Sequence, residues 1–145
     1  MGLIKLMGII LTGTSRGLGK ALFDLLKNKN IYLLSISRRF LPYQEDISKR
    51  NQNIKLLKCD LSKIKDLAKN EEILKYIPIN KIGELVFINN AGVVEPIDKV
   101  GKLEDNLIYN SMFVNLIAPI IFINKFMRIN LEYNIKIKIL NITTG

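Results

Sequence analysis

The chain contains no histidine and no tryptophan, one cysteine (Cys59) and only four prolines in 145 residues. Without histidine, the commonest general base and metal ligand is gone, and proton chemistry falls to Tyr, Lys, Ser, Thr or a carboxylate. A lone cysteine excludes a disulfide framework and a thiolate-rich zinc site; without histidine a Ser-His-Asp triad is excluded as well, and no metal site is expected. Long hydrophobic runs are also scarce. Residues 112–122 are broken by Asn115 and Pro119 and are too short to span a bilayer, while residues 1–11 carry Lys5 and lead into a glycine loop rather than a cleavage site. The expectation is a cytoplasmic protein with no membrane partner.

Acidic residues number 13 against 22 basic ones, for a net charge of +9. The lysines are scattered and the longest basic cluster is Arg38-Arg39, with no tract resembling a nucleic-acid tail, so no nucleic-acid partner is expected. With 48% hydrophobic and 24% charged residues, the composition is that of one globular domain. A chain of this size buries roughly 68–70% of its unfolded surface.

Short apolar runs alternate with segments of helical period. The first run, 6–11, is nearly all apolar, as in a strand covered on both faces. A glycine loop follows, then a helix over 20–28 on which Ala21, Leu22, Leu25 and Leu26 form the apolar stripe. Further strands are predicted at 31–36, 54–58, 85–88 and 135–142. The alternating Lys136 and Lys138 imply that the last is partly solvated. Between them lie helices over about 44–49, from a Ser62 N-cap to about 76, and over about 103–130, the last with Pro119 as a kink or weak turn. This β-α alternation predicts an α/β fold with an open parallel sheet and helices on both faces.

The loop Thr12-Gly13-Thr14-Ser15-Arg16-Gly17-Leu18-Gly19 lies directly between a buried strand and a helix. A pyrophosphate binds at a helix N-terminus, where free N–H groups and the positive dipole end face it. Glycine is needed where that chain turns, approaches phosphate and packs helix on strand. The second strand ends in Ser37-Arg38-Arg39, with no acid to hold a ribose 2′-hydroxyl. Arginine there suits the 2′-phosphate of NADP, and Arg16 reaches it from the loop. One charge-assisted hydrogen bond, about 1.5–3 kcal/mol, favours NADP over NAD about tenfold to a hundredfold.

With these pieces in order, the chain resembles the short-chain dehydrogenase/reductase family from its first strand to its last residue. The glycine loop matches the T-G-x-x-x-G-x-G cofactor motif, Asp60 the acidic position that contacts adenine, and Asn89-Asn90-Ala91-Gly92 the N-N-A-G segment. Asn115 matches the structural and proton-relay Asn, and the ending Asn141-Ile142-Thr143-Thr144-Gly145 the approach to the substrate-orienting Ser, which falls on Thr144. The segment 87–97 and this ending look most like the benzil reductase and sepiapterin reductase-like branch.

The resemblance implies a Rossmann-type doubly wound sheet of five strands in the order 3-2-1-4-5. It also implies NADPH-dependent reduction of a ketone or diketone to an alcohol, and a homo-oligomer formed through helix 103–130. Its cofactor residues would be Gly13, Thr14, Ser15, Arg16, Gly17, Leu18, Gly19, Arg38, Asp60, Asn90, Ala91 and Gly92, and its catalytic residues Thr144 and Asn115.

One departure bears on activity. The family's Tyr-x-x-x-Lys lies beyond the Ser, and no internal substitute exists: four residues after Tyr32, Tyr43, Tyr76, Tyr109 and Tyr133 come Ile36, Ile47, Asn80, Phe113 and Ile137. Residues 1–145 therefore read as an incomplete NAD(P)-binding domain that stops before the catalytic pair and lacks the C-terminal strands and helices. The alternatives are a non-catalytic NADP-binding module and an inactive gene fragment.

Overall fold

The computed structural model describes residues 4–143, with the side chains at 64 and 68–71 left aside. Five parallel strands form one sheet in the order β3-β2-β1-β4-β5, as the resemblance implied. They are β1 (Leu6–Thr12), β2 (Tyr32–Ser37), β3 (Ile54–Lys58), β4 (Ile82–Asn89) and β5 (Lys136–Asn141). The helices are α1 (Gly17–Leu26), α2 (Pro42–Arg50), α3 (Ile64–Ala68), α4 (Asp105–Met112) and α5 (Ala118–Tyr133).

The inner strands are apolar on both faces because both are covered. Ile9, Leu11, Leu33 and Ile54 form one core with Phe23 of α1 and with Ile47 of α2 at its margin. Ile10, Leu34, Ile36 and Phe87 form the other with Val114, Ala118, Phe122, Phe126 and Ile129. Phe122 and Phe126, one helical turn apart, stack with their rings 5° from parallel, and Phe87 meets both edge-on at centroid distances of 5.9 and 5.0 Å.

Several boundaries differ from the sequence reading, each for a local reason. Helix α1 begins at Gly17, and its buried residues are Gly19 and Phe23. Gly19 is pressed against the preceding loop, which turns the helix so that Leu22 and Leu26 flank the core while Ala21 and Leu25 face solvent. Ser62 does not cap α3: its hydroxyl donates to Asp60 Oδ1 at 2.7 Å, and the Asp66 and Leu67 N–H groups go to the Lys63 carbonyl. The helix then tightens into a 3₁₀ turn over Lys69–Tyr76. Strand β4 extends three residues earlier than expected, to Ile82, which is fully buried.

The run 112–122 belongs to a continuous helical element, Asp105–Tyr133, of 29 residues, which contains an 18-residue stretch of mean hydropathy 1.6. By length and composition alone this helix could cross a membrane, although the run 112–122 by itself is too short to do so. One side of it, however, supplies the Phe122–Phe126 face of the core. Around Pro119, which cannot donate to the Asn115 carbonyl, the backbone widens into a π-turn over Phe113–Ile117, with the Ala118 N–H bonded to Phe113 O.

Strand β5 pairs only with β4 and is largely exposed. Its Lys138 and Lys136 lie 2.7 and 3.8 Å from Glu84 on β4.

On the opposite side Asp24 of α1 gathers Lys20 (2.8 Å), Lys27 (3.1 Å) and the Tyr43 hydroxyl of α2 (2.9 Å). Both ammonium groups also sit over the Tyr43 ring, at 5.5 and 5.2 Å. The Lys20 hydrogen bond is the largest influence holding the Asp24 carboxyl at about 2.

Phe126→Ala should cost about 3–5 kcal/mol, read from the urea midpoint at constant m. Because Asp24 has a depressed folded pKa, its stabilisation is present above pH 3.8 and is lost as pH falls towards 2. Asp24→Asn should therefore be less stable than wild type at pH 7, with the two unfolding curves converging near pH 2.

Candidate cofactor site

The strand order reverses between β1 and β4, whose following helices pack on opposite faces of the sheet. Chains leaving these strands separate and open a crevice at their C-terminal ends. A cleft of about 600 Å³ occupies this position.

Its floor is built by a crowded meeting of three backbones. Thr12, fully buried at the end of β1, accepts the N–H groups of Asn90 (3.0 Å) and Ala91 (2.9 Å) on its hydroxyl oxygen. The Asn90 side-chain amide donates in return to the Thr12 and Gly13 carbonyls, at 3.1 and 3.2 Å. Gly13 has φ +74°, and a Cβ on it would press on Ala91; a Cβ on Gly19 would fall on the Gly13 carbonyl and the Asn90 amide. Glycine at 13 and 19 is thus a steric requirement, which brings the first turn of α1 hard against the end of β1.

That first turn is open. Arg16 is the extended residue before the helix, no side chain caps the N–H groups of α1, and its first turn carries no acid. The free donors and the positive dipole end therefore remain available to an anion. These features fit the pyrophosphate of a dinucleotide.

Among the residues expected to bind cofactor, Gly13, Ser15, Arg16, Gly17, Leu18, Gly19, Arg38, Asp60, Asn90, Ala91 and Gly92 line this one cleft. Thr14 is fully buried beneath it. Asn115 is exposed and does not line the cleft: its Oδ1 accepts the Val93 N–H at 2.9 Å and its Nδ2 donates to the Val93 carbonyl at 2.8 Å, fixing the loop that carries Ala91 and Gly92. The Asn115 amide also donates to Ser111 Oγ at 3.2 Å. Thr144 lies outside the described residues.

Arg39 joins Arg38 and Arg16 in the lining; Arg38 and Arg39 follow β2, across β1 from Asn90 and Ala91, which follow β4. Burial pushes the Asp60 carboxyl up, but the Ser62 hydroxyl and N–H, with Lys63 and Arg38 nearby, outweigh it and hold the group below its ordinary value. Asp60 is therefore ionised at neutral pH. Residues not singled out from sequence also line the wall, notably Asn110 and Val114 of the long helix. Their only sequence signal was membership of a helix, which does not say which face meets a cleft.

Such a crevice, with an uncapped helix N-terminus over a glycine loop, defines a nucleotide-binding α/β protein of the doubly wound type. A family model described as short chain dehydrogenase matches residues 8–144, and the chain belongs to that family. It is 32% identical over 139 residues to a benzil reductase ((S)-benzoin forming) of Bacillus cereus, covering 94% of this chain and 56% of the relative. A benzil reductase of Bacillus subtilis (strain 168) is 29% identical over the same length, with 54% of it covered. The chain thus spans about half the length of the curated relatives it matches.

Among solved structures, a 4-hydroxyisoleucine dehydrogenase complexed with NADH superposes with a TM-score of 0.81 at 25% identity, over 95% of this chain and 55% of that one. A metagenomic short-chain oxidoreductase in complex with NADP gives 0.79 at 22% identity, over 97% and 62%. The family binds nicotinamide cofactors of both kinds.

Thr12→Val keeps the shape of the side chain but leaves the Asn90 and Ala91 N–H groups without their acceptor. A loss of about 1–3 kcal/mol in chemical denaturation is expected, together with weaker nucleotide binding.

Proposed function

We propose that residues 1–145 form the cofactor-binding part of an NADP(H)-dependent oxidoreductase that reduces a ketone or diketone carbonyl to an alcohol. The observation that carries this reading is that Arg16, Arg38 and Arg39 all line the cleft, and that β2 ends there without an acid. A 2′-phosphate would meet guanidinium forks there, whereas a bare ribose hydroxyl would find no carboxylate from β2.

In this reading the N–H groups at the start of α1 hold the pyrophosphate and the Asp60 carboxylate accepts from the adenine amino group. Asn90, Ala91 and Gly92 support the nicotinamide-side ribose. When bound, the cofactor supplies a hydride to the carbonyl carbon. The Thr144 hydroxyl would orient the carbonyl oxygen, and Asn115 would hold the wall beside it. Two benzil reductases among the relatives support an aromatic diketone as the substrate class.

The exposed Met112, Leu116 and Ile120 of the long helix offer an apolar face for a second copy, and a cytoplasmic location suits an NADPH consumer. A second reading, a non-catalytic NADP-binding module, is favoured by the absence of a Tyr-x-x-x-Lys in these 145 residues. NADPH-dependent turnover of benzil by the chain separates the two.

Calorimetry with NADP+ and NAD+ tests the cofactor choice. Wild type should prefer NADP+, and Arg38→Asp should weaken that ligand about tenfold to a hundredfold while leaving NAD+ nearly unchanged. Equal affinity of wild type for both ligands would overturn the NADP assignment.

A further inference from the structure

Helix α2 contributes no residue to the cleft, yet it begins with a fully buried Gln44. A glutamine placed where it meets no water needs partners for its amide, and here both ends have them. Its Oε1 accepts the Leu41 N–H at 3.0 Å, closing the first turn of α2. Its Nε2 reaches 30 residues back along the chain to donate to the Thr14 carbonyl at 2.9 Å.

Thr14 is held from β2 as well. Its N–H donates to Ser37 Oγ at 2.8 Å, and its hydroxyl shares a hydrogen bond of 2.6 Å with Ser35 Oγ. Ser35 is fully buried and Ser37 nearly so. Side chains from β2 and α2 therefore take both backbone polar groups of Thr14, the residue directly before the cleft-lining Ser15, Arg16 and Gly17. A strand otherwise made of aliphatic and aromatic residues places two serines opposite this point, so the polar chain Gln44–Thr14–Ser35/Ser37 is continuous inside the core.

We propose that Gln44 is a positioning residue for the glycine loop: by fixing the Thr14 carbonyl it holds residues 15–17 in the phosphate-receiving arrangement before any ligand arrives. The inference rests on reading the cleft as a dinucleotide site. A loop ordered in advance does not lose that freedom on binding, so affinity for the phosphate portion of the ligand depends on a residue that never touches it.

The consequence is specific. Removing the donor should weaken ligands with and without a 2′-phosphate by the same factor, because both present a pyrophosphate to the loop. The test uses two variants of the full chain at pH 7.5: Gln44→Met, which is similar in size and apolar, and Gln44→Leu, which is shorter and likewise has no donor for Thr14. Titration with NAD+ and with NADP+ should show each bound about tenfold more weakly than by wild type, with the ratio of the two unchanged. In the ligand-free variants, amide exchange should quicken at residues 14–17 and stay as slow as in wild type within β1 and β4.

Unchanged affinity, a loss confined to NADP+, or quickened exchange throughout the sheet would each overturn the proposal. So would failure of both variants to fold, since Gln44 would then serve the fold alone. Wild-type chain that binds neither probe would instead overturn the cofactor reading on which the proposal depends.

Discussion

Three stretches of backbone meet above the end of β1 in a space that admits no Cβ. The Gly13 carbonyl, the Gly19 backbone and the Asn90 amide share it, and the Thr12 hydroxyl ties the third stretch to the first. Most of the site follows from this contact. It sets how close α1 stands to the sheet, and hence where its unpaired N–H groups point. It also selects Gly19 and Phe23 as the inward face of that helix. By bringing Asn90 across from β4, it joins the two halves of the sheet at the place where their connections part company.

Around that point polar groups are satisfied by protein. The Thr12 hydroxyl takes two N–H groups, Thr14 is held by Ser35, Ser37 and Gln44, and Val93 is held by Asn115. A cleft wall made this way behaves as a preformed surface, because moving Thr12, Thr14, Ser35, Ser37 or Gln44 leaves a buried donor or acceptor without a partner. The arginines differ. Arg16, Arg38 and Arg39 are exposed side chains on the rim, free to choose rotamers around whatever anion enters.

The strands were legible because a parallel sheet buried on both faces writes itself as aliphatic runs, as in Ile9, Ile10 and Leu11. The glycine loop was legible because its position between strand and helix is as informative as its spacing. Strand order came from the family resemblance, since periodicity alone does not order strands. The face of α1 was misjudged by treating Ala21 and Leu25 as core, when close approach at Gly19 decides the rotation. Pro119 was visible as a disturbance, but whether the backbone answers with a kink or a wider turn depends on packing against the sheet. Gln44 was invisible. In sequence it is one polar residue among several in a polar helix, and nothing local marks it as the one that turns inward.

The central strand has a further consequence, which concerns time. β1 pairs on one side with β2, beginning at Gly8↔Tyr32, but on the other with β4, reaching Leu11↔Ile88. On a ribosome adding ~5–20 residues per second, roughly 4–15 s separate the appearance of β1 from that of the end of β4. Throughout that interval the most apolar strand of the protein presents one unsatisfied edge to its surroundings. The nascent chain is thus more exposed to misassociation than the finished fold suggests, and its safe passage depends on what shields β1 during synthesis.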